Sequence, residues 1–124
     1  MPIPHPLDRP IWHALTGRQS NYALGDSRAW RFDPDYAAFA AAADRSAESL
    51  AALADLIPPD HGVYLMEAQP AAVPPDAAVA QQALCHQMVA ERLTPGEAAF
   101  EIVALTEADA PEMLALATLT KPGP

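Results

Sequence analysis

The sequence predicts a mixed α+β fold, a few short strands in a small sheet flanked by helices. Three observations carry that reading. Residues 46–57 repeat Leu50, Leu53, Ala54 and Ile57 at i, i+3, i+4 and i+7, which is one apolar helical stripe. Residues 21–32 set Tyr22, Leu24, Trp30 and Phe32 around a Gly-Asp-Ser turn, the pattern of a hairpin. The runs GVYLMEA (62–68) and FEIVAL (100–105) are short, rich in β-branched and aromatic residues and bounded by turn residues, so both read as strands.

The remaining elements follow in chain order. RPIWHALTG reads as a short helix, with Pro10 in its first turn and Gly17 at its stop. Asp33-Pro34 is a helix-start signal. Tyr36, Phe39, Ala40 and Ala43 then fall at helical spacing and predict a second helix. Ser46 caps the helix of the apolar stripe, and Pro58-Pro59 stops it. QPAAVPPD is a proline-rich connector. AVAQQALCHQMVAERL (78–93) fits a helix by propensity and a strand by the alternation of Leu84, His86, Met88 and Ala90. After the turn TPGEAA and the FEIVAL run comes a last helix. Thr106 or Asp109 caps it, Pro111 sits in its first turn, and Glu112 closes a D-x-x-E variant of the capping box. Met113, Leu116, Ala117 and Thr120 are its expected inward face.

Composition bounds the rest. The chain has 124 residues, room for one modest domain, and its 51% apolar content is largely alanine. The opening MPIPHPLDRP has no apolar signal core, and the longest apolar run, YAAFAAAA, is far too short for a membrane span, so a cytoplasmic protein is expected. The single cysteine, Cys85, agrees with that compartment. Net charge is −9 and unevenly placed. Through Arg45 five arginines balance five aspartates, whereas from Ser46 onward eleven acidic residues face two basic ones. Such a surface repels phosphate backbones, which argues against nucleic acid, and attracts cations such as an amine.

Several chemistries are excluded by spacing. The glycines stand at 17, 25, 62, 96 and 123, no two close together. A Walker loop, a dinucleotide fingerprint and a nucleophile elbow all need paired glycines. His5, His13, His61 and His86 are scattered, and the adjacent Cys85 and His86 diverge on either a helix or a strand, so no metal site is expected. Cys85 reads as a small buried residue, and Trp12 and Trp30 as core anchors. Asp33/Asp35 and Asp109/Glu112 read as helix N-terminal charges rather than acid–base pairs.

The segment FEIVALTEADAPEMLALATLTKPGP resembles the opening of a GNAT N-acetyltransferase domain, where the first strand runs into a helix lining the acceptor-substrate cleft. PIWHALTGRQ, FDPDYAAFAAAA and CHQMVAE are similar to the N-terminal half that precedes the catalytic half in a bacterial subgroup. The resemblance spans essentially the whole chain and implies a partial GNAT-like architecture with a small, mostly antiparallel sheet. It also implies a strand around QMV. Residues 1–98 would be an N-terminal GNAT-like subdomain, and residues 99–124 the first strand and helix of a truncated catalytic domain. The family's glycine-rich acetyl-CoA loop and its catalytic tyrosine match no position here. Acetyl-CoA is thus implied for the full-length enzyme and not for this chain alone, and no catalytic or cofactor residue is transferred. Leu119, Thr120, Lys121 and Pro122, at the end of the last helix, are the candidate wall of the substrate cleft. Implied partners are a small-molecule or peptide amine, with no nucleic acid and no membrane. The alternative is a non-catalytic acidic interaction module that associates through an unfilled sheet edge, and a third reading is a small α+β protein with an unrelated ligand pocket.

Overall fold

The computed structural model describes residues 3–122. The chain divides into two units, Met1–Leu84 and Cys85–Pro124, each described by itself.

The first unit is built on a three-stranded antiparallel sheet in the order β1 (Ala23–Asp26), β2 (Ala29–Phe32), β3 (Ala40–Ala42). β1 and β2 form the expected hairpin. Its tight turn is Ser27-Arg28, held by Arg28 N–H donating to Asp26 Oδ1 at 2.8 Å, so Gly25 and Asp26 lie in the strand rather than in the turn. Gly25 has φ +129°, and a Cβ there would lie 2.3 Å from the Ala29 carbonyl oxygen. Only glycine tolerates that geometry.

The β2–β3 register pairs Ala29 with Ala42 and Arg31 with Ala40, so these four residues share one face of the sheet. Trp30, Phe32 and Ala41 point to the other. Helix α2 (Ala47–Leu56) covers the first face: Leu53 is buried on Ala29, Ala40 and Ala42, and Leu50, Leu56, Val63 and Leu65 pack around it. The Ser46 side chain caps α2 by accepting from Ser49 N–H at 3.2 Å, as its sequence predicts. Asp44, ahead of the cap, is held below its ordinary carboxyl pKa, chiefly by hydrogen bonds from Ser46. At the other end of α2, which has no basic residue in its last turn, Arg31 reaches from β2 and donates to the Leu56 carbonyl at 3.2 Å. Arg31 is only 8% exposed, and its charge complements the helix C-terminus. Helix α1 (Pro10–Leu15) serves the second face, burying Leu15 and setting Ile11 beside Phe32.

Two expectations for this unit change. The helix predicted after Asp33-Pro34 does not form. Asp33 instead starts a turn, with Tyr36 N–H donating to its carbonyl at 2.9 Å, and residues 40–42 become β3. Alanine favours helix locally. Here the unpaired edge of β2 claims the segment, and side chains this small let it be buried on both faces. GVYLMEA lies where a further strand would be but pairs through one parallel bridge, Phe39 to Tyr64, with Ala40 N–H donating to the Tyr64 carbonyl at 3.0 Å and Tyr64 N–H to that of Ala38 at 2.9 Å.

That segment is held by Arg9. Its guanidinium makes a bidentate pair with Glu67, Nε to Oε2 at 2.8 Å and Nη2 to Oε1 at 2.9 Å. It also donates to the carbonyls of Ala43, at 2.9 Å, and Ala42, at the end of β3. The ring of Trp12 lies 5.4 Å below it. The hydrogen bond to Glu67 raises the Arg9 pKa. Both Trp12 and Trp30 are half-buried at the margins of the core rather than anchoring it.

The second unit contains one helix, α3 (Ala110–Thr120), among its described residues. Residues 78–93 form neither of the elements their sequence allows, and FEIVAL forms no strand. Cys85 is exposed rather than buried. A strand is stable only when its N–H and C=O groups are paired across a ladder, and among the described residues neither segment is assigned to one.

Two substitutions test the framework. Arg9→Ala leaves the Glu67 carboxylate partly buried without its partner and should lower stability by about 2–4 kcal/mol. An unchanged denaturation midpoint would show that the pair is dispensable. Gly25→Ala forces a side chain into the β2 backbone and should cost about 2 kcal/mol or more by the same measurement; a neutral result would mean the hairpin relaxes around it.

Candidate functional site

The sequence-predicted site lies at the end of α3, and the local chemistry begins at its entry. Thr106 N–H donates to Asp109 Oδ2 at 2.8 Å, and Asp109 N–H returns to the Thr106 carbonyl at 3.0 Å. This closes a box around the 3₁₀ turn Glu107–Asp109 that feeds α3, with Pro111 in the first helical turn. The box is therefore Thr106/Asp109 and not the Asp109/Glu112 variant. Glu112 lies in the first turn as a favourable charge.

No residue of α3 is buried. Met113 and Leu116, expected to face inward, are exposed, though less so than Leu114 and Leu119. After Glu112 the helix carries no charged side chain, so it has no polar face at all. A helix apolar around its whole girth is one built for burial on several sides.

The four candidate cleft residues separate. Leu119 and Lys121 line one open apolar concavity with Pro111, Leu114, Ala115 and Thr118. Thr120 and Pro122 do not line it. The Thr120 hydroxyl donates to the Leu116 carbonyl at 2.8 Å, and Thr118 bonds Leu114 in the same way, so both hydroxyls are spent on the helix backbone. Lys121 ends the helix in a left-handed conformation (φ 46°, ψ 57°), its N–H donating to the Ala117 carbonyl. This is the cap that glycine usually makes.

The described residues contain no group of three or more His, Cys, Asp or Glu able to hold a metal ion. The two groups with resolved pKa shifts, Arg9 and Asp44, belong to the structural contacts above. A phosphate cradle requires free amides at a helix start beside closely spaced glycines. At the start of α2 the Ser46 hydroxyl takes the Ser49 N–H, the turn ahead of α3 is occupied by the Thr106/Asp109 contacts, and no described glycine adjoins either start in the sequence. The residues present do not fit a nucleotide pyrophosphate, and no chemical step is derived through one. No helix of the described residues is long and apolar enough to cross a membrane.

One concave feature escaped the sequence reading. Ile11, Gln19, Tyr22, Phe32, Tyr36, Ala37 and Phe39 line a groove of the first unit, and the rings of Tyr22 and Tyr36 meet at 4.5 Å. Tyr36 and Phe39 were expected on a helix; the turn that forms instead sets them in one groove with Tyr22 and Phe32.

No protein-family model matches the chain, and no curated protein matches it. A solved structure does. A Novosphingobium aromaticivorans protein described as "Putative Acetyltransferase from the GNAT family" is 37% identical, with a TM-score of 0.75 over 98% of this chain. The match covers 53% of that protein, so the chain spans about half of its length.

The left-handed Lys121 yields a local test. Lys121→Gly removes a conformational cost of roughly 1 kcal/mol and should slow amide exchange through the last turn of α3 roughly fivefold. Equal or faster exchange would mean that the cap does not limit fraying.

Proposed function

Because the chain belongs to the GNAT superfamily, we propose that it supplies the N-terminal portion of an N-acetyltransferase that moves an acetyl group from acetyl-CoA to an amine. The observation that carries this reading is the 37% identity, sustained over nearly the whole chain, to about half of a protein described as an acetyltransferase. In this reading residues 1–98 form the N-terminal subdomain, and residues 99–124 contribute the first strand and helix of the catalytic domain. The chain alone is inactive, because it has no acetyl-CoA loop and no catalytic group. The wall of the acceptor cleft is the end of α3, at Leu119, Thr120, Lys121 and Pro122. Leu119 and Lys121 would face the acceptor, a small-molecule or peptide amine, and Thr120 and Pro122 would shape the turn. The acidic balance of residues 46–124 suits an amine and disfavours nucleic acid. The proposed compartment is the cytoplasm.

The open girth of α3 supports the same reading, since a helix without a polar face calls for cover by further protein. It equally favours a second reading, a non-catalytic acidic module that pairs with another chain or with itself through α3 and an unfilled sheet edge.

Thermal melting with and without acetyl-CoA separates the two. The 124-residue chain should melt at the same temperature in both. The chain joined to an acetyl-CoA-binding half of the kind its relative carries should melt higher with the cofactor, as linkage requires. A shift for the short chain would overturn the claim that its cofactor site is missing. No shift for the joined protein would favour the interaction module.

A further inference from the structure

We propose that the aromatic groove on the α1 face of the first unit is a binding site for a small alkylammonium ion. The proposal uses residues of the first unit alone and does not depend on acetyl transfer.

Four of the seven lining residues are aromatic: Tyr22, Phe32, Tyr36 and Phe39. They grade in depth. Phe32 is buried and forms the floor, Tyr22 and Phe39 are half-buried walls, and Tyr36 stands at the rim, 66% exposed. The Phe39 ring is held from behind by Tyr64 at 5.8 Å between centroids. Ring faces carry negative potential, and several rings around one concavity attract a cation with an apolar shell, the recognition used for methylated ammonium groups.

The charges nearby have the sign such a ligand needs. No Lys or Arg lines the groove. Asp33 and Asp35 sit on the turn that presents Tyr36: the Asp33 carbonyl accepts from Tyr36 N–H at 2.9 Å, and its carboxylate accepts from Asp35 N–H at 2.9 Å. The Asp33 carboxylate is thereby held on the turn, and Asp35 directly precedes the rim ring in the chain. Gln19 supplies one amide able to orient a polar tail. A neutral apolar ligand would use the rings but gain nothing from the acids. An anion would be repelled by both.

The test is a titration of the full chain with choline at constant ionic strength, followed through the aromatic side-chain resonances. Its control is the neutral carbon isostere, in which a tert-butyl group replaces the trimethylammonium. Saturable shifts confined to the groove rings are expected for choline, with the isostere roughly fivefold weaker or more. Tyr36→Ala should weaken choline by a similar factor, while Tyr36→Phe, which keeps the ring, should not. Tyr36 is exposed, so both variants are expected to fold, and circular dichroism checks this. Equal response to choline and the isostere would overturn the proposal in favour of a merely apolar groove. Absence of saturable shifts would overturn it as well. Ring shifts that follow protein concentration instead of choline would make the groove a contact between copies and also overturn it.

Discussion

The first unit depends on the Arg9 guanidinium. It meets a carboxylate 58 residues away and two carbonyls 33 and 34 residues away, and it lies over the ring of Trp12 on the helix it precedes. These contacts tie α1, the end of β3 and the segment around Glu67 at one point. A planar fork can satisfy two carboxylate oxygens and still reach carbonyls on its other edge, which an ammonium could not do. Glu67 would otherwise be a partly buried charge on a segment joined to the sheet by one bridge. Asp8 and Arg45 assist: Ala68 N–H donates to the Asp8 carbonyl, and Arg45 to that of Pro70.

Such dependence on charged contacts follows from a core made of small residues. Leu15, Phe32 and Leu53 are its large buried side chains, and the rest is mainly alanine. Each buried carbon contributes about 0.8 kcal/mol, so the three alanine methyls of β3 together offer no more than one buried leucine. What they offer is thinness. Helices can approach both faces of β3, and Arg31 can lie under α2 with its charge on the helix end.

How much was legible in the sequence tracks how local each signal was. The stripe of α2, its Ser46 cap and the hairpin are encoded within a dozen residues; the first two formed as read, and the hairpin formed with its turn moved from Gly25-Asp26-Ser27 to Ser27-Arg28. β3 was misread because its alanines favour helix in isolation, and its strand identity comes from β2 across a turn. Arg9 and Glu67 could not be paired from their positions, since a separation of 58 residues leaves no periodic trace. For the candidate site, the entry to α3 was legible as a capping box but placed one turn late. Leu119 and Lys121 do share a surface. The hydroxyl of Thr120, by contrast, is taken by its own helix, which depends on a rotamer and not on spacing. The aromatic groove was invisible for the reason β3 was: rings assigned to a helix cannot be seen to converge.

The three alanines of β3 have a consequence for how this chain can change. Buried almost completely on both sides of a sheet, Ala40, Ala41 and Ala42 set a ceiling on volume. A larger side chain would have to push a helix off the sheet, and a smaller one can only be glycine. Substitution at these positions is confined to a narrow range of volume. The least conspicuous residues of the chain thus admit few substitutes.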